Sequence, residues 1–294
     1  MNSSEPGSAL RVALAGAGNV GTSVALLLAG AGHSIVGAAS RSTSSASRAA
    51  EVLDAEIFDY ASELPECDLV LIGATDRGIA EIARMLAPHM TADTHAWHFA
   101  GSLGTEALGA ISDAGGRVAA AHPVQAIPDI DRGVRRLPGS AWGITASERD
   151  RDWVASVVRR DLKGDPVFVA EEDRAVWHAA SVTVSNGTAA LLGAGEQILS
   201  SIGIEEPQLV LGPLAAGTIA NAMEAGGGAQ TLTGPVVRGE IDTVRRHLFE
   251  LARRDPELAQ TYRRVGQTIV RVAARSGRIT DEVARSLYAL LDVA

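Results

Sequence analysis

Three glycines, Gly16, Gly18 and Gly21, interrupt an uncharged stretch from Val12 to Gly32 and decide how it folds. Unbroken, an apolar stretch of that length would suit a membrane span or the apolar part of a signal sequence. The glycines divide it instead into a short strand (Leu10 to Ala15), a tight loop and a helix (Val20 to Ala29), and the preceding flank carries Glu5 with Arg11 as its one basic residue. A second strand, Ser34 to Ala39, comes next. In that setting the spacing Gly-x-Gly-x-x-Gly has a physical purpose. The first glycine permits the turn, the second lets backbone approach a pyrophosphate, and the third lets helix pack on strand. Gly16, Gly18, Asn19, Val20 and Gly21 are therefore read as the phosphate loop of a nicotinamide dinucleotide site.

The residues just past the second strand select the dinucleotide. A binder of the unphosphorylated form places Asp or Glu there to accept from the ribose 2′-hydroxyl. From Gly16 to Ala50 this chain has no carboxylate, and the strand runs into Ser40-Arg41-Ser42-Thr43. A guanidinium pairs a 2′-phosphate through two parallel hydrogen bonds, and flanking hydroxyls donate to the same oxygens. Ser40, Arg41 and Ser42 thus predict NADP(H). The competing reading makes Arg41 a solvated loop residue in a flexible serine-rich turn.

Strand-like runs near 10–15, 34–39, 68–73, 94–100, 117–121, 140–146 and 166–169 alternate with helix-length segments, which predicts an α/β fold with a Rossmann-type, mainly parallel sheet covered on both faces. After Ala170 helical signals take over. A first helix is predicted from about Glu171 towards Ser200, its acidic start suited to a helix dipole, and others at about 207–225, 235–254, 256–275 and 280–292. The expected division is a dinucleotide-binding domain over 9–170 and an all-α substrate and dimerisation domain over 171–294. Residues 1 to 8 read as a frayed leader.

Ligands of open α/β sheets lie beyond the carboxyl ends of the strands. There stand Ala74 and Thr75, whose small size suits a passing cofactor, then Gly101-Ser102, and His122-Pro123-Val124-Gln125. Asp76 reads as a helix N-cap rather than a catalyst. His122 is the leading candidate for proton transfer, because an unperturbed imidazole titrates near pH 6.5; the alternative is a structural histidine orienting the Pro123 turn. Ser102 and Gln125 are positioning candidates. On the first helix after Ala170, His178, Ser181 and Ser185 share a face with Asn186 at its edge, a polar stripe that meets substrate or is satisfied in a helical core. Thr233 to Pro235 reads as a helix start, with Arg238 either holding a substrate carboxylate or pairing with Glu240 or a partner subunit.

A net charge of −9 argues against a nucleic-acid partner, which requires clustered Lys and Arg. One cysteine, Cys67, makes no internal disulfide and has no second metal ligand beside it, so no metal is expected and a reducing cytoplasm is the expected home.

The glycine loop, the His122-Pro123-Val124-Gln125 turn, the His178-to-Asn186 helix and Leu232-Thr233-Gly234-Pro235-Val236-Val237-Arg238-Gly239 together resemble the bacterial Rossmann-like oxidoreductases whose C-terminal helical domain is of unknown function. The chain is more distantly similar to pyrroline-5-carboxylate reductases, ketopantoate reductases and β-hydroxyacid dehydrogenases. That resemblance implies an NADP-dependent oxidoreductase, and a homodimer formed through the helical domain. One departure is plain. β-Hydroxyacid dehydrogenases use a lysine four residues before an asparagine on the corresponding helix, and here Val182 stands four before Asn186. The expected function is hydride exchange between NADPH and a small polar carbonyl or imine compound, with His122, His178, Ser102 and Asn186 as catalytic candidates and Ala74, Thr75 and Gly101 beside the cofactor. The rival is a non-catalytic NADP(H) sensor.

Overall fold

The computed structural model describes residues 8–292, so the leader read over residues 1 to 8 lies outside the described residues except at Ser8. Seven strands form one sheet: β1 (Arg11–Ala15), β2 (Ser34–Ala39), β3 (Leu69–Ile72), β4 (His95–His98), β5 (Arg117–Pro123), β6 (Ala141–Ala146) and β7 (Asp165–Phe168). Their order is β2-β1-β3-β4-β5-β6-β7. Every neighbouring pair is parallel except β5 with β6, where Pro123 stands opposite Trp142 at the shared end. β6 starts where β5 ends because the intervening chain, with its helix α5 (Ile130–Arg136), returns to the same end of the sheet.

Strand alternation sends side chains to two cores. Val12, Leu14, Leu69, Leu71 and Trp97 pack with Val24 and Leu28 of α1 (Asn19–Gly30), Leu53 of α2 (Thr43–Leu53) and Val154 and Val158 of α6 (Glu148–Arg160). Ala13, Ala15, Val70, Ile72 and Ala96 face the other way, against Ile79, Ile82 and Leu86 of α3 (Asp76–Leu86) and Ile111 of the short α4 (Gly109–Asp113). A sheet buried on both faces explains why these strands read as continuous apolar runs.

Beyond β7 all regular structure among the described residues is helical: α7 (Arg174–Ser200), α8 (Pro207–Glu224), a single turn α9 (Gly228–Thr231), α10 (Ile241–Arg254), α11 (Pro256–Arg275) and α12 (Asp281–Leu291). Pro256 opens α11 with Asp255 capping it, and Thr280 caps α12 through Val283 N–H. The helix expected over 235–254 begins only at Ile241. Gly234 (φ +91°) and Gly239 (φ +69°) hold left-handed backbone at either end of Pro235–Arg238, which ends any continuous α-helix there. Thr233 therefore caps no helix.

The chain divides into two compact units, one ending at Val184 and the other beginning at Ser185. The sequence change at Ala170 lies earlier, because the first turns of α7 pack on the sheet unit. In the helical unit Val244 and Leu248 of α10, Val270 of α11 and Leu287 and Leu291 of α12 close a core with Val236. Among the described residues no helix is long and apolar enough to cross a membrane.

Candidate functional site

The glycine loop is built from four glycines rather than three. Gly16 takes φ +94° and donates its N–H to Ala39 O at 2.8 Å; Gly18 donates to Gly73 O at 3.2 Å; Gly73 donates to Ala15 O at 3.0 Å. A Cβ on Gly18 would lie 2.5 Å from Gly73 O, and one on Gly21 would lie 2.9 Å from Gly73 Cα. A Cβ on Gly73 would collide with Gly16 O. The ends of β1 and β3 thus interlock backbone to backbone. Sequence reading stopped at Ala74 and Thr75 and missed Gly73, although a glycine closing an apolar strand is the signal of a close approach.

Gly18 is the extended N-cap of α1, and the first turn carries no acid. The first N–H groups of the helix have no intrahelical partner and point where an anion is favoured. Asn19 spends its side chain elsewhere, donating through Nδ2 to Pro128 O at 2.8 Å, so only its backbone faces the loop's concavity.

Past β2, Ser40 is half-buried and Arg41 and Ser42 are exposed. Ser42 caps α2, accepting from Ser45 N–H at 3.4 Å, and its hydroxyl pairs with that of Ser44 at 2.8 Å. This turn is therefore a structured helix start. Arg41 makes no ion pair among the described residues, and its charge opposes the rise that burial imposes on the nearby Tyr60 phenol. After β3 the N-cap is Thr75, while Asp76 is the first helical residue and caps nothing, contrary to the sequence reading. Asp76 instead accepts from Ser102 Oγ at 3.3 Å, tying the ends of β3 and β4.

The start of α7 is stapled to the same sheet end. Arg174, 1% exposed, donates to three backbone carbonyls: Leu103 at 3.0 Å, Gly143 at 3.0 Å and Ala100 at 2.6 Å. Glu171 accepts from Thr105 N–H at 3.0 Å, Thr105 Oγ1 at 2.9 Å and Glu106 N–H at 3.2 Å. Burial alone would raise the Glu171 carboxyl, but these donors and Arg174 prevail and hold it below the usual carboxylate range. Neither residue was a sequence candidate; an acidic helix start reads as dipole complementarity, and a lone arginine carries no burial signal.

Around Arg174 gather three imidazoles. His98 is fully buried, bonded through Nε2 to Gly104 O at 2.8 Å and accepting Ala100 N–H at Nδ1. His122 accepts at Nδ1 from Trp177 Nε1 at 3.1 Å. His178 stands edge to face with His122, ring centroids 5.4 Å apart, and fills the space that a side chain at Gly101 would need. Burial, then the charges of Arg174 and the neighbouring imidazoles, push His122 down to about 4. Burial also takes His98 to about 4. The sheet end thus presents His98 and His122 as neutral imidazoles near neutral pH.

The structure brings Gly101, Ser102, His122 and His178 together with Ala74 and Thr75 at one end of the sheet. The predicted polar stripe lies along α7. Ser181 bonds back to Trp177 O at 3.2 Å, and Ser185 and Asn186 are exposed residues of the helical unit. Gln125 is used structurally, donating to Arg136 O and Ser140 Oγ, each at 3.3 Å. Arg238 pairs with Glu240 at 2.6 Å.

Comparison with known proteins gives the fold and its parts. BF3122 of Bacteroides fragilis, provisionally assigned as an NADP oxidoreductase, superposes with a TM-score of 0.74 at 24% identity, covering 89% of this chain and 98% of its own. Protein TM1727 of Thermotoga maritima gives 0.72 at 24% identity, covering 91% and 100%. A reductive aminase of Aspergillus terreus, solved with NADPH and ethyl-5-oxohexanoate, gives 0.60 at 15% identity, covering 97% and 93%. No curated protein sequence matches. Residues 2–123 match the model of the Rossmann-like domain and residues 140–269 that of a domain of unknown function, DUF2520, so the chain joins a Rossmann-like domain to a DUF2520 domain.

Proposed function

We propose that this chain is an NADP(H)-dependent oxidoreductase that moves a hydride between NADPH and a small polar carbonyl or imine compound. The observation that carries the reading is the four-glycine interlock, which keeps side chains off the one place where backbone must meet a pyrophosphate. In this reading Gly16, Gly18, Asn19, Val20 and Gly21 hold the pyrophosphate, Asn19 through its backbone. Ser40, Arg41 and Ser42 hold the 2′-phosphate, and the Ser42 oxygen that caps α2 retains a proton to donate. Ala74, Thr75 and Gly101 flank the cofactor. Bound NADPH supplies the hydride; His122, His178 and Ser102 supply polar contacts to the reacting compound, with Asn186 as a further candidate. The names of two structural neighbours, an NADP oxidoreductase and a reductive aminase solved with NADPH, agree with this chemistry.

The helical unit supports a homodimer as part of the same reading. Pro207 is the only buried residue of α8, while Leu209, Leu214 and Met223 are 65%, 66% and 78% exposed. Apolar side chains on that scale call for a covering partner, and a second copy of α8 is the proposed one. A cytoplasmic home remains the proposal drawn from the cysteine content.

Oxidation of NADPH by the purified protein, followed at 340 nm over a panel of 2-oxo acids, cyclic imines and lactones, tests the activity. Turnover with at least one class is expected. Cofactor binding without turnover across the panel would overturn the enzyme and favour a sensor.

A further inference from the structure

His122 is one of the groups proposed to contact the reacting compound, and the structure says more about its chemistry than a histidine usually allows. Imidazole tautomers are ordinarily ambiguous, because either ring nitrogen can carry the proton. Here the partner removes the ambiguity. An indole Nε1–H only donates, so the 3.1 Å bond from Trp177 requires a bare lone pair at His122 Nδ1. The one ring proton must then reside on Nε2.

The indole is held in place by two independent features. Gly143 lies opposite His122 in the β5–β6 register, and a Cβ there would come within 2.6 Å of Trp177 Cε2 and Nε1. The glycine therefore opens the slot in which the indole rests. Arg174, three residues earlier on α7, grips Gly143 O at 3.0 Å and fixes the helix over that same residue. The groups facing His122 are Arg174, His98 and His178, and all of them disfavour a proton on it. The carboxylates Asp76 and Glu171 act on His98, and Glu171 accepts hydrogen bonds from Thr105 and Glu106.

We propose that Trp177 is a positioning residue that locks His122 as a neutral imidazole with Nδ1 bare and Nε2 protonated, so that His122 donates a hydrogen bond to the substrate's acceptor atom and is not the source of the transferred proton. The inference rests on the reading of this sheet end as the substrate site. In the reduction of a carbonyl, bound NADPH would supply the hydride for the new C–H bond, the C=O π pair would move onto oxygen, and the proton that completes the hydroxyl would come from water, leaving hydroxide. NADP+ and the alcohol leave, and His122 keeps its Nε2 proton throughout.

Two-bond 1H–15N spectra of the histidine-labelled protein decide the matter without substrate or turnover, so this test stands or falls apart from the oxidoreductase assignment. The expected result for His122 is the Nε2–H tautomer at pH 7, with the ring still unprotonated at pH 5. Trp177→Phe is expected to yield a mixture of tautomers and to shift the ionisation midpoint up towards the ordinary value of about 6.5. Gly143→Ala keeps the tryptophan but closes its slot, and is expected to give the same signature. An Nδ1–H tautomer or an imidazolium in the wild-type protein at pH 7 would overturn the proposal, as would an unchanged His122 signal in both variants.

Discussion

The sheet unit and α8 of the helical unit are written in the same apolar vocabulary and fold to opposite ends. Val12 to Ala15 of β1 and all of β3 are fully buried, whereas α8 buries only Pro207 and turns Leu209, Leu214 and Met223 outward. The difference lies in what each segment has to pack against. β1 and β3 meet helices on both faces, and α10 to α12 close their own core around Val270 and Leu287. α8 buries little among the described residues of one chain, and the proposed second copy is what would cover it.

Glycine substitutions sharpen this contrast most strongly. Gly73→Ala places a methyl against Gly16 O, and a loss of at least ~3 kcal/mol of stability is expected in chemical denaturation, with NADPH binding abolished. Gly217→Ala, within α8 and facing open space, is expected to change stability by less than ~1 kcal/mol in the isolated chain. Should Gly217→Ala prove as damaging as Gly73→Ala, α8 is packed in a way one chain does not show. Leu214→Glu addresses the same helix through assembly. Light scattering is expected to give the dimer mass for the wild-type protein and the monomer mass for the variant, with the sheet unit's denaturation midpoint unmoved; a wild-type monomer at micromolar concentration would remove the interface.

The sheet unit also carries a pH signature. His95, stacked on Trp153, joins His98 and His122 with a folded pKa of about 4, each lowered first by burial and then, for His95, by Arg117. Unfolding frees these imidazoles to bind protons below their ordinary value near 6.5, so stability is full above that pH and falls as pH drops towards 4. The steepest fall corresponds to uptake of up to about three protons. Denaturation midpoints measured from pH 7.5 to 5 check this, and a flat profile would show the histidines to be solvated.

Much of the sheet unit was legible because its signals are local. Seven apolar runs became seven strands, and the glycine spacing together with its flanking strands sufficed to locate the loop. The features that escaped depended on contacts far apart in sequence. Gly73 matters only because β3 lies beside β1, and Arg174 because α7 returns over Leu103 and Gly143. Asp76 was misread as a cap because Thr75, with extended backbone, takes that place. The 235–254 helix was drawn too long because a cap-like Thr233 outweighed two glycines whose left-handed backbone only the fold reveals. His122 was a candidate proton donor on its unperturbed titration; burial, Arg174 and Trp177 make it a neutral one.

The loop at Gly16 to Gly21 and the turn at Arg41 are proposed to hold NADP(H). Calorimetric titration with NADPH and NADH, on the wild-type protein and on Arg41→Ala, tests this most directly. NADPH is expected to bind at least about tenfold tighter than NADH, a difference of ~1.4 kcal/mol or more that the substitution removes by weakening NADPH alone. Equal affinities in the wild-type protein, or an Arg41→Ala variant that keeps its preference for NADPH, would contradict it.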